Sequence, residues 1–134
     1  MIVLDASVAV ELVLRTDRAD RIAVRALDAR QRMHAPHLID IEVTQVLRRL
    51  LHARQITPAR ADVALADFEQ LFIERHAHRP LLGRVWGLRS VMSAYDAAYV
   101  ALAEALAAPL LTCDERLSRA PGHTAQIELV AAVS

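Results

Sequence analysis

The chain has 134 residues, of which 54% are hydrophobic, and its formal net charge at neutral pH is zero. A chain of this length and composition buries roughly two thirds of its unfolded surface, so we expect one folded domain over residues 1–134 and not a disordered chain. All 16 lysine-or-arginine positions are arginine, which excludes mechanisms that need a lysine, such as Schiff-base or P-loop chemistry.

Cysteine usage and the lengths of the apolar runs bear on the compartment. Cys113 is the only cysteine and cannot form an internal disulfide, which is typical of a reducing cytoplasm. The N-terminus lacks a basic stretch followed by a long apolar run, and no apolar run approaches the ~20 residues of a membrane span. We therefore expect a cytoplasmic protein without a membrane partner.

The first half of the chain alternates short apolar runs with amphipathic stretches. The predicted elements are a buried strand over residues 2–5, helices over about 8–14, 17–32 and 38–53, and a strand or extended link over 33–36. Ser7 is expected to be the N-cap of the first helix, because its side chain can accept from the first free backbone amides.

The second half continues the alternation. The predicted elements are a helix over about 58–75, a connection over 76–83 with a possible short strand at 81–82, helices over 84–91 and 94–107, a strand over 109–113, one helical turn over 115–118 and a last strand over 126–130. Thr57 and Ser93 are the expected N-caps, and Pro58 occupies a first helical position. This alternation predicts an α/β fold with a mainly parallel sheet between helical layers.

Two aspartates follow predicted strands directly. Asp5 ends the first strand, and Asp114 follows the strand over 109–113. In an open parallel sheet ligands bind outside the carboxyl ends of the strands, so neighbouring strands would place both carboxylates on one rim. Either residue alone could instead be a helix cap or a turn aspartate, and the sequence leaves both interpretations open.

Two further carboxylates fall on apolar helix faces. Glu42 lies three residues after Ile39 and four before Val46, and Asp96 shares a face with Tyr99. A buried carboxylate is costly unless it pairs with an arginine or binds a metal ion.

Each of these two also has an ordinary structural alternative. Glu42 could pair with Arg49 or lie at the edge of its helix start. Asp96 could close a reciprocal capping box with Ser93.

If the four carboxylates converge, they repel one another unless a cation neutralises them. Oxygen-only ligands favour Mg²⁺ or Mn²⁺, and such ions activate water and stabilise a leaving oxygen in phosphodiester hydrolysis. Ser7 and Thr112 are candidate hydroxyls for orienting Asp5 and Asp114. A plain N-cap role for Ser7 and a plain strand role for Thr112 explain these two residues slightly better.

The chain resembles PIN-domain ribonucleases, particularly the VapC toxins of bacterial toxin–antitoxin pairs. The segments that carry the resemblance are Ile2–Ser7, Ala35–Pro36, Glu42–Val43, Val46–Arg49, Tyr95–Glu104 and Pro109–Leu117. They occur in the family's order, at similar spacing, and span nearly the whole chain.

The resemblance implies a three-layer α/β/α fold with a central, mainly parallel sheet of about four or five strands. It implies an endoribonuclease dependent on Mg²⁺ or Mn²⁺, a cognate antitoxin that blocks the active-site groove, and a homodimer. The catalytic and metal-binding residues that it implies are Asp5, Glu42, Asp96 and Asp114, with Ser7 and Thr112 as polar neighbours.

An RNA substrate requires phosphate contacts, for which arginines are the available cations. The candidates are Arg84, Arg89, Arg116 and Arg119, although each could equally be a solvated surface residue. Trp86 is the one candidate for base stacking, and burial under the sheet explains it better. His76 and His78 share a predicted connection and are expected to be exposed, without ligand spacing to Cys113.

Three alternatives to an RNA nuclease stay open. An aspartate-based phosphotransfer domain also places an aspartate after its first strand, but it needs a lysine that this chain lacks. A non-catalytic binding module could keep the same fold, although an intact set of four acids argues against it. A DNA-directed nuclease would share the chemistry but needs extra elements for which the chain is short.

Overall fold

The computed structural model, which describes residues 1–133, has a five-stranded sheet at its centre. The strands are β1 (Ile2–Leu4), β2 (Met33–Pro36), β3 (Ile73–His76), β4 (Leu110–Thr112) and β5 (Ile127–Leu129). They lie in the order β3-β2-β1-β4-β5, and every pairing is parallel. The predicted α/β class and parallel sheet are therefore confirmed. The central strand β1 is fully buried, as expected for an apolar strand covered on both faces.

Helices flank the sheet in two groups. They are α1 (Ala6–Leu14), α2 (Ala19–Ala26), α3 (Ile39–His52), α4 (Pro58–Gln70), α5 (Leu82–Gly87), α6 (Ala94–Leu106) and α7 (Glu115–Arg119), with a 3₁₀ turn at Arg79–Leu81. Helix α1 packs against α2, α3 and α4, whereas α6 packs against β1, β2 and β4 together with α5. This arrangement confirms the three-layer architecture. No helix within residues 1–133 is long and apolar enough to cross a membrane.

Helix α6 contains a continuous buried segment. Every residue from Ala97 to Ala103 is buried, and four of these seven residues are alanines. Small side chains let the helix axis approach the sheet, and burial on all sides is typical of a helix that is apolar around most of its circumference. The first turn of α6, which carries Asp96, is consequently held at a defined place beside the sheet.

The predicted second helix is too long. It was expected over 17–32, but α2 ends at Ala26. The Asp28 carboxylate accepts a hydrogen bond from the backbone amide of Arg30 at 2.9 Å, and the Asp28 carbonyl accepts from Gln31. Aspartate side chains that bind the backbone two residues onward favour a turn over a helix.

The predicted helix over 58–75 is also wrong at its C-terminal end, because α4 ends at Gln70 and β3 follows. The strand β3 is paired in parallel with β2 at the edge of the sheet. This pairing is nonlocal, so the periodicity of residues 71–76 alone does not reveal it. The possible strand at 81–82 is absent too, because Leu81 ends the 3₁₀ turn and Leu82 begins α5.

Two phenylalanines of the α4–β3 segment give a matched stability test. Phe68 packs in the core with 2% of its surface exposed, whereas Phe72 is 93% exposed. We expect Phe68→Ala to lower the free energy of unfolding by about 3–5 kcal/mol, because it leaves a cavity. Phe72→Ala should change it by less than about 1 kcal/mol. Urea unfolding of both variants measures the difference, and equal effects would contradict the placement of α4.

Candidate active site

The four predicted carboxylates lie in one groove at the carboxyl end of the sheet. Asp5 follows β1 and Asp114 follows the neighbouring strand β4, while Glu42 and Asp96 are in the first turns of α3 and α6. All four line the same groove, which has a volume of about 520 Å³. Residues separated by up to 109 positions in the sequence are thus brought together, because β1 and β4 are parallel neighbours and the starts of α3 and α6 lie at the same edge of the sheet.

Asp5 is the buried member of the set, with 7% of its surface exposed. One carboxylate oxygen accepts from the Ser7 hydroxyl at 2.5 Å and from the Val8 amide at 3.1 Å. The other oxygen accepts from the Thr112 hydroxyl at 2.5 Å. Burial raises the pKa of the Asp5 carboxyl to about 6 despite these hydrogen bonds, and the charge of Asp96 adds to the rise.

The expectation that Ser7 caps α1 is wrong. The helix begins at Ala6 and Asp5 is its N-cap, since the Asp5 side chain accepts from Val8. The Ser7 hydroxyl instead donates to Asp5 and accepts from the Cys113 amide at 3.1 Å. Ser7 therefore connects the end of β1 to the end of β4.

Thr112 makes the second connection between these strand ends. Its hydroxyl donates to Asp5 and accepts from the Asp114 amide at 3.0 Å. The side chain is fully buried, so its rotamer is held by packing as well as by hydrogen bonds. These contacts fix the Asp5 carboxylate and the backbone at Asp114 relative to each other.

Glu42 is partly buried and is not paired with Arg49, since no ion pair joins these residues within residues 1–133. Burial raises the pKa of the Glu42 carboxyl, and the Asp96 carboxylate adds to the rise. The nearby Tyr99 hydroxyl and the Arg49 charge oppose it. The structural alternative of a Glu42–Arg49 pair is thereby excluded.

Asp96 is the electrostatic centre of the four acids. Burial raises its pKa, and the Asp114 carboxylate raises it further. Its own charge raises the pKa values of Asp5 and Glu42 in turn. Ser93 caps α6 by accepting from the Asp96 amide at 3.2 Å, but the Ser93 amide makes no hydrogen bond to the Asp96 carboxylate. The reciprocal capping box is thus incomplete, and the Asp96 carboxylate faces the groove.

The two carboxylate oxygens of Asp114 have different surroundings. One of its carboxylate oxygens accepts from the amides of Arg116 and Leu117 and so caps the short helix α7. The second oxygen makes no hydrogen bond within residues 1–133 and is available at the groove. Asp114 is therefore both a helix cap and a carboxylate on the rim of the sheet, the two interpretations that the sequence left open.

The chemistry of this donor set fits a hard divalent cation. It contains only carboxylate oxygens, and three of the four acids have pKa values raised by burial and by one another. Within residues 1–133, no three of these acids bring their oxygens within 4.8 Å of one another. At that spacing a cation in the groove would be bound directly by one or two carboxylates and would keep several waters.

Tyr99 is a groove residue that the sequence interpretation treated only as apolar. Its side chain is 2% exposed, and its buried hydroxyl lies beside the Glu42 carboxylate. Burial, together with the charges of Glu42, Asp5 and Asp96, raises the pKa of the hydroxyl, which is neutral. Its position three residues after Asp96 is the signal that could have revealed it, because such residues share a helix face.

The four candidate RNA-contacting arginines have different surroundings. The Arg84 guanidinium donates to both oxygens of Glu104 at 2.8 and 2.9 Å, which occupies its planar fork. Arg119 pairs with Glu115 at 3.0 Å. Arg116 is exposed and close enough to lower the pKa of Asp96. Arg49 also lines the groove, although it was not among the predicted RNA contacts.

Trp86 and His76 are placed differently from their predictions. Trp86 was expected to be buried, but it is 68% exposed, with the Arg89 guanidinium 4.6 Å from its ring centre. Arg89 also donates to the Trp86 carbonyl at 3.0 Å. His76 was expected in an exposed connection, but it is a partly buried residue of β3. Both differences arise because edge-strand pairing and helix orientation depend on distant contacts.

The fold and the groove define the class of protein: a parallel α/β domain with an acidic site where its central strands end. A sequence model of the PIN domain matches residues 2–123. The chain therefore belongs to the PIN-domain family, which confirms the resemblance drawn from the sequence.

Individual relatives and solved structures agree. Ribonuclease VapC12 of Mycobacterium tuberculosis is 43% identical over 131 residues, which cover 98% of this chain and 100% of the relative. Ribonuclease VapC3 of the same species is 45% identical over 120 residues, covering 89% and 86%. VapBC2 from Rickettsia felis, solved with a promoter DNA fragment, has a TM-score of 0.69 at 14% identity and covers 96% and 98%. PAE2754 from Pyrobaculum aerophilum has a TM-score of 0.62 at 24% identity and covers 87% and 81%. At such identities these structures show the shared fold.

The raised pKa of Asp5 gives a pH-dependent stability test on metal-free protein. The folded-state pKa of about 6 exceeds the ordinary value of 3.8, so this group's contribution to stability is full below about pH 4 and is lost as the pH rises through 6. Asparagine carries no charge at any of these pH values and also caps helices well. We expect Asp5→Asn to be more stable than the parent chain at pH 8, by up to about 3 kcal/mol, with the gap closing toward pH 4. Urea unfolding in EDTA at both pH values measures the gap, and a gap independent of pH would contradict the burial of a charged Asp5.

Proposed function

We propose that the chain is a metal-dependent endoribonuclease that acts as the toxin of a toxin–antitoxin pair. The observation that carries the proposal is the convergence of Asp5, Glu42, Asp96 and Asp114 on one groove. Relatives that are 43% and 45% identical are named ribonucleases, and they align over most of this chain. Membership in the PIN-domain family supports the same activity.

Mg²⁺ or Mn²⁺ is the proposed cofactor, bound in the groove that Asp5, Glu42, Asp96 and Asp114 line, directly by one or two of these carboxylates and through bound waters by the others. When bound, such an ion supplies positive charge that makes a water more acidic and stabilises the phosphate and the leaving oxygen of a phosphodiester. The ion also offsets the burial and, to a smaller extent, the repulsion that raise the pKa values of three of these acids.

The residues of the chain divide the remaining work. Ser7 and Thr112 hold the Asp5 carboxylate in one orientation, so its oxygens need no reorganisation when a cation binds. Burial raises the pKa values of Glu42 and Asp96, so either carboxylate is a stronger base toward a nearby water than an exposed carboxylate is. The neutral Tyr99 hydroxyl lies beside Glu42 in the lining of the groove.

RNA binding is proposed to rest on arginines around this groove. Arg116 is best placed among the four candidates because it is exposed, unpaired within residues 1–133 and close to Asp96. Arg89 with Trp86 offers a cation above an exposed ring, which suits a nucleotide. Arg84 and Arg119 are weaker candidates, since glutamates occupy their guanidinium groups.

The proposed protein partners are a cognate antitoxin and a second copy of the chain. Exposed apolar side chains on α3 and α4 support a protein partner: Ile41 is 70% exposed and Val63 is 52% exposed. The related fold of VapBC2 was solved as a complex with promoter DNA. A non-catalytic binding module stays the alternative function. The clustering of acids whose pKa values are raised, chiefly by burial, disfavours it, because such groups gather at catalytic sites.

The activity test removes one charge from the groove. Asp5→Asn should reduce Mg²⁺- or Mn²⁺-dependent cleavage of RNA by at least about 100-fold, because the substitution weakens the binding of the cation and changes its position in the groove. The fold should persist in circular dichroism, since asparagine keeps the cap of α1. Asp62→Asn removes an exposed aspartate of α4 and should leave cleavage unchanged. Full metal-dependent cleavage by purified Asp5→Asn protein would refute the proposal.

Metal binding has a thermodynamic readout that is independent of activity. At about ten times its dissociation constant, a cation that binds only the folded state adds about 1.4 kcal/mol, which raises the melting temperature by about 5 °C for a chain of this size. We expect this shift with Mg²⁺ or Mn²⁺ in the parent chain and in Asp62→Asn. The double variant Asp5→Asn/Asp96→Asn should lose it. An unchanged shift in the double variant would place the cation elsewhere.

A further inference from the structure

A second set of metal-ligating side chains lies on the strands β2 and β3, away from the acidic groove. The register pairs His34 with Glu74 and Pro36 with His76. Strand residues two apart point to the same face, so Glu74 and His76 share a face with His34. One ligand atom from each residue lies within 4.8 Å of the other two. We propose that His34, Glu74 and His76 form a binding site for a borderline transition-metal ion such as Zn²⁺.

The distances are close to those that such an ion requires. The Nδ1 atom of His34 lies 2.8 Å from the Nε2 atom of His76 and 3.6 Å from a carboxylate oxygen of Glu74. Zn²⁺ binds nitrogen and oxygen at about 2.0–2.2 Å, so tetrahedral ligands lie about 3.3 Å apart. The two histidines need to separate by about half an ångström, and a small rotation of rings already tilted at 39° provides that movement.

The ring of His34 is buried, and its polar contacts are with the other two residues of this site. The side chain is 4% exposed, and its Nε2 atom is buried with no hydrogen-bond partner among residues 1–133. Every polar contact of the ring is therefore made by Nδ1, toward His76 and Glu74. Burial lowers the pKa of His34, which keeps the ring neutral and able to coordinate. Glu74 has 59% of its side chain exposed, so solvent can reach the site and supply a fourth ligand.

The donor types distinguish this site from the groove. Two imidazoles with one carboxylate suit Zn²⁺, whereas the groove offers only oxygens and suits Mg²⁺ or Mn²⁺. None of the three residues lines the groove. The proposal therefore does not depend on the nuclease activity.

An ion at this position would hold the edge strand β3 onto β2. Arg75, between the two β3 ligands, donates to the Asp40 carboxylate of α3 at 2.7–3.0 Å. Asp40 precedes Glu42 by two residues on the same helix. A bound ion would thus stabilise β3, the strand that holds the start of α3 through the contact between Arg75 and Asp40.

The test measures Zn²⁺ binding by calorimetry, with excess Mg²⁺ present to compete for the groove, and measures the melting temperature with and without Zn²⁺. The parent chain should bind one equivalent and gain thermal stability. His76→Ala should lose at least about tenfold in affinity together with the stability gain. Glu74→Gln, which changes an exposed side chain and keeps its volume, should weaken binding while folding normally.

Two control variants make the outcome decisive. His78→Ala removes an exposed histidine two residues beyond His76 and should bind Zn²⁺ as the parent chain does. Asp5→Asn removes a groove ligand and should also bind it normally. Absence of Zn²⁺ binding in the parent chain would overturn the proposal. Binding in His76→Ala and Glu74→Gln that is as tight as in the parent chain would also overturn it. Loss of binding in Asp5→Asn would likewise overturn it, by placing the ion in the groove.

Discussion

The structure depends most on how the chain accommodates a carboxylate at the end of its central buried strand. Asp5 follows β1 directly and is 7% exposed, so its charge must be met by nearby donors. Ser7, Val8 and Thr112 supply three hydrogen bonds to its two oxygens. Because Thr112 belongs to β4 and Ser7 also accepts from the Cys113 amide, the same contacts join the two central strands where they end. The orientation of one side chain and the geometry of the sheet rim are therefore set together.

The remaining acids add repulsion to this arrangement. Beyond the effect of burial, the Asp96 charge raises the pKa values of Asp5 and Glu42, and the Asp114 charge raises that of Asp96. Repulsion of this kind opposes folding in the absence of a cation. The alanine-rich helix α6, buried from Ala97 to Ala103, keeps Asp96 in place against it. Stability from the core is thus used to hold an unfavourable cluster of charge, as is common where chemistry or metal binding takes place.

The histidine pair on β2 and β3 shows a different solution to a buried polar group. His34 is neutral and contacts His76 through one nitrogen, and the edge strand supplies both of its polar neighbours. The groove brings carboxylate oxygens together at the carboxyl end of the sheet, whereas the histidine pair brings ring nitrogens together from the neighbouring strands β2 and β3. Within one small fold, strand pairing has therefore created two donor sets with different preferences for metal ions.

Local sequence was sufficient to predict the four acids that line the groove. Carboxylates after apolar strands identified Asp5 and Asp114, and carboxylates on apolar helix faces identified Glu42 and Asp96, because burial of a charge leaves a visible break in periodicity. The caps at Thr57 and Ser93 were also correct, since capping depends on residues within one turn.

Only the tertiary structure decided the features that depend on distant partners. The edge strand β3 exists because its backbone pairs with β2, so its residues were mistaken for the end of a helix. The exposure of Trp86, the contact of His76 with His34 and the buried hydroxyl of Tyr99 likewise follow from packing between elements. The sequence left Ser7 open between a helix cap and a hydroxyl that orients Asp5, and its bonds to Asp5 and Cys113, which depend on how the two strand ends meet, decided for the second. The sequence by itself thus determined which side chains could carry charge into the interior, and the pairing of strands decided which groups those side chains would meet.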